Sequence, residues 1–339
     1  MPVDVREYDK IVSLMKKEYG DDVIRVGSDY PEVKRIPTNI VGLDRLIGGG
    51  IPLGRWSHFY GGFSTCKTLI AIHTIKSAQQ MGLKCAYYDI ENQFDPIWFK
   101  AVGVDTDNLL VVDGSVIEEV GEKLEVLLGV VHLHVVDSVG LGVSKDELSI
   151  DLDKWLPGIN ARAWGKVLRT WNERFDKENN AIILINQTRQ VFGKNIEEPT
   201  GGNSINFISS LSLKLSKSSW LYHDKKGHLT PDGVKTDNIG GDTDPSGIEL
   251  LIRVDKSRIA NCKQNAVGRV RLEFESSGQF DDIWTLVRVA IWNGIVEKSG
   301  TWYTLPDGSK VQGETGIRGY IEENEEFAVS LKKRLYEDE

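Results

Sequence analysis

The segment Gly61-Gly62-Phe63-Ser64-Thr65-Cys66-Lys67-Thr68 holds the clearest chemistry in this sequence. A strand candidate, Trp56 to Tyr60, precedes it, and an apolar-periodic stretch from Leu69 follows, so it reads as the turn between a strand and a helix. There a glycine-rich turn lets successive backbone N–H groups point at phosphate oxygens, and the helix N-terminus adds partial positive charge. Residues Gly61 through Leu69 would then cradle a nucleotide, with Lys67 reaching the β and γ phosphates and the Thr68 hydroxyl ligating Mg²⁺. Taken alone, the segment also fits an ordinary strand–turn–helix with a chance Lys-Thr pair.

Loops of this kind carry glycine before the lysine, and here Cys66 stands there. A non-glycine residue held in a left-handed backbone costs on the order of 1–2 kcal/mol, enough to weaken nucleotide binding roughly tenfold without abolishing it. At a helix N-terminus beside Lys67, the Cys66 thiol is expected to have a depressed pKa and raised reactivity, and ATP with Mg²⁺ should shield it from alkylation.

Two carboxylates complete a hydrolysis constellation. His134-Val135-Val136-Asp137-Ser138 is an apolar strand ending in an aspartate, suited to hold Mg²⁺ beside the loop. Glu91 follows the strand Cys85 to Ile90, at the same carboxyl edge of a parallel sheet, where it could activate the attacking water.

The elements that position these groups alternate in type. Buried-strand patterns cover Trp56 to Tyr60, Cys85 to Ile90, Leu109 to Asp113, His132 to Asp137 and Ala181 to Asn186, with helical stretches such as Thr68 to Gln80 and Ile159 to Phe175 between them. Such alternation predicts an α/β fold with a mostly parallel sheet covered on both faces. Before it, Tyr8, Ile11, Val12, Met15 and Tyr19 share one face of a first helix, with Asp4 as its N-cap. That helix could cover its own subunit or dock on a neighbour. Residues 213 to 252 break the alternation with glycine-rich polar turns between short strands, the pattern of a surface hairpin or insertion. After residue 270, Trp284, Leu286, Val287, Ile291, Trp292 and Ile295 form an apolar helical face, and Trp302-Tyr303 before Asp307-Gly308 reads as a hairpin. The domain reading is 1–32 as an N-terminal helical segment, 33–269 as the core and 270–339 as a small α+β domain.

With 40% hydrophobic and 27% charged residues among 339, the chain can bury an ordinary core. No run approaches a membrane span and the first ten residues lack a signal region, so the expected compartment is the cytoplasm. Three cysteines without a CxxC pair argue against a disulfide framework or structural zinc. The net charge of −9 argues mildly against coating nucleic acid through bulk positive charge, and the acidic residues gather near the C-terminus, so any DNA site is expected to be a local groove.

Several spaced motifs in order resemble those of RecA recombinases, a divergent or phage-encoded one. They run from Gly49-Gly50-Ile51-Pro52-Leu53-Gly54-Arg55 through Asp89-Ile90-Glu91-Asn92-Gln93-Phe94-Asp95-Pro96, Val135-Val136-Asp137-Ser138-Val139, Ile185-Asn186-Gln187-Thr188-Arg189, Thr200-Gly201-Gly202-Asn203 and Lys256-Ser257-Arg258-Ile259-Ala260 to Gly300-Thr301-Trp302-Tyr303. The resemblance implies a RecA-like P-loop ATPase core, with ATP and Mg²⁺ as cofactors and a helical homo-oligomeric filament on single-stranded DNA that then engages homologous duplex. It implies catalytic roles for Lys67 and Glu91, adenine contacts from Asp95 and Trp98, and a γ-phosphate switch at Gln187. Lys256 and Arg258 would act in trans on the neighbouring subunit's nucleotide. DNA-binding loops fall at about 149–158 and 189–202. The first contributes Trp155, with Arg162 and Arg169 on the next helix. The second contributes Arg189, Phe192, Lys194, Gly201, Gly202 and Asn203. Cations for phosphate and an apolar wedge between bases suit single-stranded DNA, although Trp155 and Phe192 could equally pack inward and the arginines could simply be solvated. The chain departs from the family at Cys66 and Phe63, in a shortened second loop and in a longer 213–252 region. A hexameric helicase of the same fold, and a nucleotide-gated filament with decayed hydrolysis, are the competing readings.

Overall fold

The computed structural model describes residues 5–20, 24, 27–30, 32–151, 158–175, 179–190, 197–223, 229–231, 245–274 and 277–337. Their contacts divide the chain between Lys34 and Arg35 into two units. The first contains α1 (Val5–Tyr19), whose Tyr8, Ile11 and Tyr19 are exposed, with Glu7 in its first turn and Lys16 and Lys17 in its last complementing the helix dipole. The proposed cap Asp4 lies outside the described residues.

The second unit opens with β1 (Arg35–Ile36), α2 (Val41–Leu46) and β2 (Ile51–Pro52). Strands and helices then alternate: β3 (Arg55–Gly61), α3 (Lys67–Gln80), β4 (Cys85–Asp89), α4 (Pro96–Val102), β5 (Leu109–Asp113), α5 (Ile117–Leu127), β6 (Leu133–Asp137), the single-turn α6 (Lys145–Leu148), α7 (Ile159–Arg174) and β7 (Ala181–Gln190). Next come β8 (Glu197–Pro199), α8 (Asn203–Ile208), β9 (Leu211–His223), β10 (Leu229–Thr230), β11 (Gly247–Ser257) and β12 (Val267–Glu273). The chain ends in α9 (Asp282–Trp292), β13 (Glu297–Ser299), β14 (Trp302–Thr304), β15 (Lys310–Gln312), α10 (Gly313–Glu323) and α11 (Glu325–Glu337).

The main sheet runs β12-β11-β9-β3-β7-β6-β4-β5. From β9 to β5 its strands are parallel, while β11 is antiparallel to both β9 and β12. Because both faces are covered, apolar residues on a central strand serve both sides: on β7, Ile183 and Ile185 join one core cluster while Ile182 and Leu184 join the other. On the second face Trp56 stacks on Trp171 at 5.8 Å, and Trp171 Nε1 donates to the Gly121 carbonyl at 2.9 Å, fixing α7 against α5.

Two expectations change on folding. In the 213–252 region β10 is short as expected, two residues paired with Tyr222 and His223, but β9 and β11 are long, 13 and 11 residues, because their cross-strand pairs are buried on one face; the glycine-rich turns between them lie outside the described residues. On α9 burial selects Leu286, Val287, Val289 and Ala290, which join Tyr303, Ile317 and Ile321 in a third core cluster, whereas Trp292 is 67% exposed. Positions 284, 288 and 292 share a different stripe of that helix, at four-residue spacing. The hairpin at Trp302-Tyr303 is present as β14 and β15, its turn held by Ser309 N and Oγ donating to Asp307 Oδ1 at 2.8 and 2.6 Å.

Candidate active site

Strands β3, β7, β6 and β4 are neighbours and parallel, so their carboxyl ends meet at one edge. Gly61 ends β3 where a Cβ would lie 2.0 Å from the Leu215 carbonyl oxygen, so only glycine lets β9 approach so closely. Beyond it Ser64 and Cys66 both take left-handed conformations, φ 55° and 58°. The strain anticipated at Cys66 is therefore present. Lys67 begins α3, and its ammonium folds back over the turn, donating to the carbonyls of Gly62 at 2.7 Å and Gly61 at 3.2 Å and to Thr65 Oγ1 at 3.2 Å.

The other groups converge from the facing strands. Thr68 Oγ1 donates to Asp137 Oδ2 at 2.6 Å, and the Tyr87 hydroxyl donates to the same oxygen at 2.8 Å. Glu91 Oε1 accepts from Ser138 Oγ at 2.5 Å and from Gln187 Nε2 at 3.3 Å. Thr68, Tyr87, Glu91 and Asp137 border a cleft of about 750 Å³ together with Ser64, Lys67 and Trp98, with Ser138 and Gln187 behind Glu91. Burial raises the Asp137 pKa to about 6 against the hydrogen bonds from Thr68 and Tyr87, and burial lowers that of Lys67 against the pull of Asp137 and Glu91.

The Cys66 thiol corrects an expectation. Burial pushes it up to about 11, outweighing the nearby Lys67 charge, because the partly buried side chain packs against the main core cluster even though it borders the cleft. Phe63 is exposed and Leu69 buried in the core. Trp98 lines the cleft, while the Asp95 carboxylate caps α4, accepting from Ile97 N at 2.8 Å and Trp98 N at 3.4 Å. Lys256 and Arg258 stand at and just past the carboxyl end of β11 and do not line this cleft; the Lys256 ammonium holds the end of α8 through the carbonyls of Asn206 and Phe207.

The second loop has a strand stem. Thr188 to Gln190 pair with Glu197 to Pro199, so Arg189, expected in a loop, extends from the end of a β-strand that begins in the core. A polar clasp closes the stem: Thr200 Oγ1 donates to Asn186 Oδ1 at 2.6 Å, and Asn186 Nδ2 donates to the Thr200 carbonyl at 2.7 Å. Gly201 follows at φ 81°, where a Cβ would meet Ile205 at 2.8 Å and Val139 at 3.0 Å; Gly202 and the exposed Asn203 start α8. Arg162 and Arg169 are exposed on one face of α7. Trp155, Phe192 and Lys194 lie outside the described residues.

Sequence reasoning assigned no role to Tyr87 or Ser138. A hydroxyl inside a buried strand needs a partner, and that was the available signal for Tyr87; Ser138 follows the aspartate but meets Glu91 only through the sheet.

Family comparison matches residues 6–236 to the RecA N-terminal domain and 285–338 to the RecA C-terminal domain. Protein RecA of Thermus aquaticus is 30% identical over 340 residues, covering 98% of this chain and 94% of the relative. Protein RecA of Saccharopolyspora erythraea is 30% identical over 95% of this chain and 89% of the relative, and that of Brucella anthropi 28% over 96% and 87%. With both domain models matched in order and such relatives aligned over nearly the whole chain, this protein belongs to the RecA family of DNA recombinases.

Proposed function

We propose that this RecA-family protein hydrolyses ATP in the Lys67 cleft when assembled on single-stranded DNA, and that the resulting helical filament pairs with homologous duplex and exchanges strands. The observation that carries this reading is the contact of Gln187 with Glu91 on a strand that continues without a break into the stem of the second loop. Glu91 is the base that takes a proton from the attacking water, held by Ser138 and Gln187. Gln187 moves if it exchanges its bond to Glu91 for one to the terminal phosphate. Asn186, its neighbour, then carries the shift through Thr200 to the loop base. Lys67 offsets phosphate charge, and Trp98 offers an aromatic face to the base.

The residues fit Mg²⁺. Thr68 Oγ1 and Asp137 Oδ2 are hard oxygen donors side by side, and no cluster of three or more His, Cys, Asp or Glu able to cage a metal occurs among the described residues, so water and phosphate oxygens would complete the shell. When bound, the ion supplies charge neutralisation at the phosphates. Lys256 and Arg258 serve the neighbouring subunit's nucleotide, and Arg162, Arg169 and Arg189, with Trp155, Phe192 and Lys194 of the loops, contact the DNA strand. The third core cluster, which joins Val41 of α2 to residues from α9 onward, fits a small C-terminal domain over 270–339 seated on a core over 33–269; an N-terminal assembly segment over 1–32 completes this reading. No helix among the described residues is long and apolar enough to cross a membrane, and this reading implies the cytoplasm.

Steady-state ATP hydrolysis with and without single-stranded DNA, at one stated salt concentration, tests the proposal. Strong stimulation is the expected result. Nucleotide-dependent DNA binding without hydrolysis would replace it by a gated filament, and binding of neither ligand would overturn it.

A further inference from the structure

A second concave region lies between α2, the β11–β12 turn and α9, a cleft of about 530 Å³. Arg45, Lys263, Arg269 and Arg288 line it together with the indoles of Trp284 and Trp292. Trp284, Arg288 and Trp292 fall at four-residue intervals on α9 and form one stripe. Arg288 lies 5.6 Å from both indoles, so a cation stands between two aromatic faces of the cleft.

The charge here is not balanced. Glu249 pairs with Arg269 and Arg271, and Glu314 pairs with Arg288 at 3.2 Å. That leaves Arg45 and Lys263 exposed, with no hydrogen-bond or ion-pair partner for either side chain among the described residues. Arg288 Nε is buried with no partner. Trp292 and Val267 are 67% and 52% exposed beside these cations. A cleft serving only to seat α9 on the core would close over its indole and neutralise its cations, whereas this one keeps a positive, aromatic surface on a chain whose net charge is −9.

We propose that this groove binds a single-stranded nucleic acid segment, with unpaired bases on Trp292 and phosphates on Arg45 and Lys263, at a place separate from the 149–158 and 189–202 loops. Indole faces select single strands because a duplex keeps its bases stacked internally and offers only backbone. The volume suits about one or two nucleotides, so the groove adds a short contact and does not follow a long strand.

The test uses the full chain and an iodouracil-substituted oligothymidylate of about twenty nucleotides, a length exceeding the site sizes of typical single-strand grooves. After irradiation, cross-linked residues are mapped by mass spectrometry. The expected result is a cross-link at Trp292 that persists in Arg189→Ala, is lost in the exposed double variant Arg45→Glu/Lys263→Glu, and is competed by unlabelled single strand at least tenfold better than by duplex. Circular dichroism of the double variant matching the parent secures the loss as local, and the single variant Lys263→Gln, which should halve the cross-link or more, gives the same reading without charge reversal. Absence of a Trp292 cross-link, its loss in Arg189→Ala, or equal competition by duplex would each overturn the proposal. DNA-stimulated ATP hydrolysis measured on the same preparation tests the recombinase reading separately.

Discussion

The proposed nucleotide cleft and the proposed DNA-facing surface of the core keep their charges in opposite ways. Lys67 and Asp137 are 8% and 5% exposed, and Lys67, Thr68, Glu91, Asp137 and Gln187 all carry a hydrogen-bond partner. Arg162, Arg169 and Arg189 are exposed and, among the described residues, their side chains have no partner. Groups desolvated and preorganised before substrate arrives act strongly and cannot substitute for one another. Solvated cations act through phosphate attraction that is modest per residue, roughly additive and screened by salt. The cleft should therefore break with single substitutions and respond to pH, whereas the DNA surface should erode gradually and respond to salt.

The largest effects belong to the cleft. Lys67→Ala should reduce ATP hydrolysis by about a thousandfold and weaken equilibrium nucleotide binding with it, because both phosphate attraction and loop geometry are lost. Glu91→Gln should lower kcat by about 10²–10⁴-fold while ATP binding stays within about twofold, since only proton abstraction is removed. Its complex with single-stranded DNA should then outlast that of the parent after ATP is chased. Equal loss of ATP binding in the two variants would collapse the distinction between holding the nucleotide and activating water.

The buried strand behind the cleft supplies the pH response. His134 on β6 is neutral, with Tyr88 Oη 3.0 Å from Nδ1 and the Val131 carbonyl 3.2 Å from Nε2, and burial lowers its pKa to about 4. In the unfolded chain it titrates near 6.5, so between those values the unfolded state binds the proton and the folded state does not. The sign follows: this contribution is intact above pH 6.5 and is lost as pH falls towards 4. Between pH 7 and pH 5 it amounts to about 2 kcal/mol. Asp44 and Asp282, raised to about 7 and 6 by burial, act in the opposite direction and are common to parent and variant. Urea unfolding of His134→Gln should thus show a pH 7 to pH 5 change in stability about 2 kcal/mol more favourable than the parent's; identical pH profiles would place the titration elsewhere.

On the DNA side Arg189→Ala should weaken oligothymidylate binding by about tenfold and reduce the slope of log affinity against log salt by about one. ATP affinity without DNA should not change. An unchanged salt slope would mean that Arg189 holds its own hairpin instead of phosphate.

Much of the cleft was legible because its residues follow buried strands whose apolar runs are hard to misread, and parallel strands deliver their carboxyl ends to one edge. Asp137 and Glu91 needed only that topology, whereas Gln187 was singled out through the family resemblance. Tyr87 and Ser138 were missed because their partners are set by tertiary pairing across β4, β6 and the turn after β4. The stem that carries Arg189 escaped because Thr188 to Gln190 lack apolar alternation and are strand only through pairing with Glu197 to Pro199. The α9 face misled at Trp292, since indoles count as apolar in any periodicity argument while the Arg–Trp stripe leaves that one in solvent.

Cys66 brings the smallest effects and the sharpest test of how far the cleft tolerates strain. Its left-handed backbone, φ 58°, costs on the order of 1–2 kcal/mol. Glycine would relieve that cost but add about 0.5–1 kcal/mol of unfolded-state entropy. It would also give up the packing of the thiol on the core. Cys66→Gly should therefore change global stability by less than about 1 kcal/mol while tightening nucleotide binding by up to about tenfold, the strain being local to the turn. Cys66→Ala, which keeps a Cβ in the same conformation, should leave nucleotide affinity near the parent's. A gain shared by both variants would trace the penalty to the sulfur and not to the backbone. Iodoacetamide labelling makes the same point without mutation: with its thiol pushed up to about 11, Cys66 should react more slowly at pH 8 than a free cysteine, even with no nucleotide bound. A rate at or above that of free cysteine would mean that the helix terminus and Lys67 outweigh burial after all.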